Sequence, residues 1–134
     1  MRMFLAAVIG VGLCWAAMPV LAHHSFAAEF DIEKPVTVKG TLTKLEWVNP
    51  HGWLHIEVKR PDGKVESWAV EAGSATALMR AGVRKTDLAI GTELTAEGFR
   101  AKNGSTTMAG RTVKTADGRN FLVAGQQLPG GPGQ

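Results

Sequence analysis

Apolar and polar positions alternate along most of this chain. Residues 35–48, PVTVKGTLTKLEWV, form a long, β-branched, roughly alternating run that predicts a first strand. Gly40 in its middle marks a bulge or a tight bend. NPHG (49–52) has the Asn, Pro and Gly placement of a turn. In WLHIEVKR (53–60), Leu54, Ile56 and Val58 fall on one face of a second strand. RPDGK (60–64) is another turn, and VESWAVE (65–71) a third strand. The period then changes. SATALMRAG (74–82) offers Ser74 as N-cap and Gly82 past the end, which predicts a helix of about two turns. A fourth strand follows at 91–102, a turn at 103–105 and a fifth strand at 108–116. Asp117-Gly118 then turns into a short closing strand at 119–124.

Three strands, a short helix and two or three further strands are the order of an OB-like, partly open Greek-key barrel. The expected fold is therefore all-β with one short helix, a barrel of five to six strands over residues 35–125. A plain antiparallel barrel or sandwich is the alternative. A barrel closes most of its edges and so limits edge-to-edge association.

The two ends read differently. Arg2 precedes an apolar run, Pro19 interrupts it, and Val20-Leu21-Ala22 presents the modest and small residues of a cleavage site. Residues 1–22 are thus expected to be a secretory signal peptide, with an uncleaved anchor as the competing reading. Export places the protein in the periplasm or outside the cell, with no stable membrane insertion after cleavage. Residues 23–34 form an N-terminal segment without a clear period, and the Pro/Gly-rich tail 126–134 is expected to be disordered. The single cysteine, Cys14, lies in the leader, so the exported chain has neither disulfides nor a thiolate metal site. The net charge of +3 is mild and the charges alternate in sign along the chain. Binding of single-stranded nucleic acid needs a basic groove with stacking aromatics, and this composition argues against it.

Two of the four histidines, His23 and His24, follow the predicted cleavage site. The other two, His51 and His55, flank the first hairpin turn. A loop of Pro50 and His51 sets Trp47 opposite Leu54, Leu45 opposite Ile56 and Glu46 opposite His55, which separates apolar from polar faces. A three-residue loop with left-handed Gly52 is the alternative. On a strand His51 and His55 lie about 13 Å apart, so they cannot share an ion without a further ligand. After cleavage His23 offers a free amine and its own imidazole. With a second histidine these make an all-nitrogen set that suits Cu(II) best among common divalent ions. The arrangement resembles, at His23 alone, the histidine brace of copper-dependent polysaccharide monooxygenases. Small periplasmic copper chaperones with OB-like barrels offer a second likeness, through His, Met and Trp. The candidate metal set is His23, His24, His51 and His55, with Met79 and Met108 as further donors. Trp47, Asn49 and Trp53 form a candidate contact surface for an unknown protein or small ligand. Ser25, His24 and Asp31 are close in sequence, but adjacency builds no triad, so no catalytic residue is expected.

The motifs His-His-Ser-Phe (23–26), Lys-Gly-Thr (39–41), Glu-Trp-Val-Asn-Pro-His (46–51), Trp-Ala-Val-Glu (68–71) and Gly-Ser (73–74) occur together with a Gly-x-x-Leu-x-x-x-Gly strand (91–98). In these the chain resembles a family of small exported proteins of Gram-negative bacteria classed as a domain of unknown function. The resemblance covers most of the chain after the leader. It implies an exported β-barrel domain, assigns no chemistry, and directs attention to His23, His24, Trp47, Asn49, Pro50 and His51.

Overall fold

A computed structural model of the chain describes residues 26–125. The expected leader, His23, His24 and the tail 126–134 lie outside the described residues. The elements are α1 (Phe26–Glu29), β1 (Phe30–Glu46), β2 (Gly52–Lys59), β3 (Val65–Ala72), α2 (Ala75–Arg80), a 3-10 turn (Lys85–Asp87), β4 (Glu93–Ala101), β5 (Thr107–Thr115) and β6 (Asn120–Leu122). The sheet order is β3-β2-β1-β4-β5-β6. A short parallel seam between β3 and β5, Ala69 to Glu71 against Thr107 to Ala109, joins the two ends of the five long strands. This is the expected all-β, OB-like barrel, with α2 between the third and fourth strands as the sequence order requires.

Burial alternates as the sequence pattern demands. Leu54, Ile56, Val70, Leu94, Ala96, Met108 and Val113 point inward and are sealed from solvent, and Leu78 of α2 and Leu88 are buried in the same core. Ser74 caps α2 by accepting a hydrogen bond from the Ala77 N–H at 3.1 Å, and Gly82 takes φ +83° just past the helix.

The first strand differs from its sequence reading in two ways. It begins at Phe30, not at 35, because Phe30 pairs with Ala101 and packs against Ala101, Ala109 and Ala124 on the outer face of the sheet. Its bulge lies at Thr43, not at Gly40. The register with β2 slips by one residue between Leu42 and Lys44, where β1 passes from β4 to β2. Gly40 instead marks a close approach, since a Cβ there would collide with the Glu57 carbonyl.

The first hairpin also corrects the expected pairing. Leu45 faces Leu54 and Glu46 faces Trp53, two residues from the predicted register. The loop is longer than a two-residue turn because its polar groups serve α2. The Val48 carbonyl accepts from the Ala75 N–H at 3.0 Å, and Asn49 Oδ1 accepts from the Thr76 N–H at 3.3 Å. A two-residue slip returns every side chain to its own face, so the apolar and polar sets stay as predicted.

Arg119 ties the β5–β6 turn to the 3-10 turn. Its Nε donates to Asp117 at 2.8 Å and its Nη1 to Asp87 at 3.0 Å. The Arg84 backbone N–H, followed by the nearby guanidinium groups of Arg84 and Arg119, holds the Asp87 carboxyl below its ordinary range. The Thr115 hydroxyl and then Arg119 do the same for Asp117. A carboxylate whose folded pKa is depressed stabilises the fold above its unfolded pKa. That contribution is lost as pH falls through the lowered folded value. Thermal melts are therefore expected to decline as pH drops below about 4, and Asp87→Asn is expected to make that acid decline shallower. An acid limb unchanged in the variant would show that Asp87 does not carry it.

Candidate functional site

The outer face of β2 and β3 carries the polar residues that the hairpin assembles. Trp53 lies between Glu46 on β1 and Glu71 on β3, since it is the cross-strand partner of both. His51 stands in the loop just before β2, and its Nδ1 is 2.9 Å from Glu71 Oε1. A carboxylate can only accept, so the proton sits on Nδ1, leaving Nε2 as the unprotonated nitrogen of the neutral ring. His55 is held separately, with Nε2 2.9 Å from Glu46 Oε1. Lys44 also binds Glu46, at 2.7 Å. The Lys44 contact, followed by that of His55, holds the Glu46 carboxyl below its ordinary range. The Glu46–His55 neighbourhood expected from the sequence is thus present, through a diagonal rather than a directly opposed pair.

A tight backbone corner fixes His51. The Gly52 N–H donates to the Gly73 carbonyl at 3.1 Å, and the Gly73 N–H donates to the Val123 carbonyl at 2.8 Å. A Cβ on Gly52 would come within 3.0 Å of the Gly73 oxygen, so glycine lets the loop, β3 and the segment after β6 meet here.

The remaining candidates divide. Trp47 is half-buried and packs against the main core. The Asn49 side chain is engaged with the start of α2. Met108 is wholly buried, whereas Met79 is 56% exposed on α2. Trp53 is half-buried and lines an open groove of about 530 Å³ between the N-terminal segment and the β4–β5 hairpin. The structure brings together His51, Trp53 and Glu71 and keeps His55 with a different carboxylate. Among the described residues, no group of three or more His, Cys, Asp or Glu is placed to hold an ion.

The sequence reading assigned Glu71 to the end of the third strand and missed its pairing with His51. A usable signal existed, because the RPDGK turn sets Lys59 against Val65 and, along the same ladder, Trp53 against Glu71. The role of Phe26 was also missed. It stacks on Phe30 at 5.6 Å and meets Phe99 edge-on at 5.9 Å, which fixes the chain two residues after His24. Phe26 and Phe99 pack against the cluster containing Ala109, the parallel partner of Glu71.

Fold and site together define a small OB-like β domain with a polar, tryptophan-bearing outer face. The model of a family of unknown function, DUF6152, matches residues 11–110, and the chain belongs to that family. No curated protein and no solved structure matches it. Among the described residues, no helix is long and apolar enough to cross a membrane.

Proposed function

We propose that this protein is an exported binding module of the periplasm or cell exterior that holds Cu(II) between His51 and the N-terminal histidines. The observation that carries this reading is the His51–Glu71 pair. A metal-binding histidine characteristically donates its second ring N–H to a carboxylate, which fixes the tautomer and raises the basicity of the ligating nitrogen. His51 has that partner at Nδ1, and Nε2 is the ligating atom. Cleavage after Ala22 supplies the His23 amine and imidazole, and His24 a further imidazole. The Phe26 anchor supports their approach, because its cluster includes Ala109, the neighbour of Glu71. The protein donors are then all nitrogen, a set that favours Cu(II).

The test is copper titration of protein exported from the full chain, with its N-terminus verified by mass spectrometry. A version whose His23 α-amine is blocked by acetylation is titrated alongside. The native N-terminus is expected to bind at least about 100-fold more tightly, because the block removes the amine–imidazole chelate. Equal, weak binding by both overturns the proposal. A second reading, a protein-interaction domain without a ligand, is favoured by exposed Val48 and Met79 at the junction of the loop and α2. That reading expects no copper binding by either form.

A further inference from the structure

The groove beside Trp53 has a chemistry of its own, independent of any metal. Trp53 forms one wall and the N-terminal segment around Phe30 the other, with Thr107 on the lining and Lys102, Asn103 and Ser105 of the β4–β5 hairpin at the rim. Its volume of about 530 Å³ falls in the range of small-molecule sites. Its position, on the face reached by β2 and by the loop between the last two barrel strands, is where OB barrels take oligonucleotides or oligosaccharides.

Charge separates those two ligand classes. Among the described residues, Lys102 is the only cation on the groove lining, and its Nζ already donates to the Ala27 carbonyl at 2.6 Å. Trp53 lies between Glu46 and Glu71. A phosphodiester chain would therefore meet carboxylates beside the stacking ring and a cation already engaged. Glu29 adds a carboxylate to the lining, and the other hydrogen-bonding side chains are neutral: the Asn103 amide N–H₂, the Ser105 and Thr107 hydroxyls and the Trp53 indole N–H. An aromatic face with uncharged donors and acceptors matches a sugar ring, which has an apolar C–H face and a hydroxyl edge. The hairpin wall is held in place for this. Arg100 stacks over Trp68 at 5.5 Å and donates to the Gly104 and Ser105 carbonyls, while the Thr106 hydroxyl donates to the Ser67 carbonyl at 2.7 Å.

We infer that this groove binds a short neutral oligosaccharide, with Trp53 as the stacking platform and Asn103, Ser105 and Thr107 as hydrogen-bonding partners. The test uses ¹⁵N-labelled protein exported from the full chain and kept in EDTA, so that it does not depend on the copper reading. N,N′,N″-triacetylchitotriose, cellotriose and maltotriose are titrated in turn while the indole N–H resonances are followed. The Trp53 resonance is expected to move and saturate at millimolar concentration of at least one sugar, with the buried Trp68 unmoved. Trp53→Ala is expected to weaken binding by about 30-fold. Thr107→Val, which preserves shape and strand preference, is expected to weaken it by about tenfold without altering the melting temperature. A Trp53 resonance that stays fixed with all three sugars overturns the inference. So does a response to oligothymidine in place of sugar. A Trp53 shift on removal of residues 126–134, with no response to sugar, also overturns it and assigns the groove to the chain's own tail.

Discussion

Deleting Lys39 is expected to unfold this domain, whereas deleting Thr43 is expected to leave it folded. The apolar positions of β1 and of the residue after it run Val36, Val38 and Leu42 on one side of Thr43 and Leu45 and Trp47 on the other. The interval between Leu42 and Leu45 is odd, so a regular strand would send one set to solvent. The bulge absorbs the extra residue. Leu42 faces Ile56 before it, Lys44 faces His55 after it, and both apolar sets reach the core side. Removing Thr43 makes the interval even and keeps both sets in phase, whereas removing the exposed Lys39 puts Val36 and Val38 out of phase with Leu42, and one set must turn outward. On the N-terminal side that exposes Val38, now 4% accessible, together with half-buried Val36. Burial of such side chains is worth about 1.5–3 kcal/mol each, against a total stability of about 5–15 kcal/mol for a small domain. The Thr43 side chain itself is exposed and donates one hydrogen bond to the His55 carbonyl at 3.2 Å. Denaturant titration of the two variants separates the effects. A Lys39 deletion as stable as the parent would show that the N-terminal half of β1 can rephase against Leu42.

The odd interval was readable in the sequence, and so was most of the architecture. Alternation placed β2 and β3 within a residue of their observed ends, and the change of period between Ala72 and Gly82 placed α2 and its Ser74 cap. These features depend on contacts between near neighbours. The errors arose where distant segments decide. Phe30 joins β1 because Ala101, Ala109 and Ala124 offer it an apolar surface from the other end of the chain. The first hairpin opens because α2, more than twenty residues later, draws Val48 and Asn49 onto its N-terminal amides. The turn preference of Asn-Pro-His-Gly is a local signal, and two long-range hydrogen bonds outweigh it.

The candidate site was legible in the same uneven way. His51, His55, Trp53 and the acidic residues announce themselves by type, but which carboxylate serves which histidine follows from register. The β2–β3 hairpin fixes Trp53 opposite Glu71, and the backbone corner at Gly52 and Gly73 brings His51 to the same carboxylate. The parallel seam of β3 and β5 then sets Ala109, and with it the Phe26 cluster, beside Glu71. No local pattern reveals that seam, because its two strands are separated by α2, the 3-10 turn and β4.

This separation of the two histidines gives the sharpest expected contrast for the copper reading. His51→Ala is expected to lower Cu(II) affinity by about 100-fold or more, and Glu71→Gln by about 10–100-fold, while His55→Ala changes it by less than about threefold. The difference follows from surroundings, not from residue type. Glu71 holds His51 by Nδ1, so the Nε2 nitrogen can meet an ion. His55 likewise donates from Nε2 to Glu46, which leaves its Nδ1 for an ion, but Lys44, its cross-strand partner on β1, brings an ammonium to the same carboxylate. A cation added there would face that positive charge at close range, which costs free energy even at a solvated surface. Glu71→Gln keeps an acceptor for the Nδ1 proton but removes the charge, so it weakens the ligand without misplacing it. Its effect should therefore fall between those of the two histidine variants. Isothermal titration with each variant, at matched N-termini, measures all three. Equal losses from His51→Ala and His55→Ala would mean that copper, if held, is held by a different set, and a Glu71→Gln protein with parental affinity would remove the carboxylate from the site.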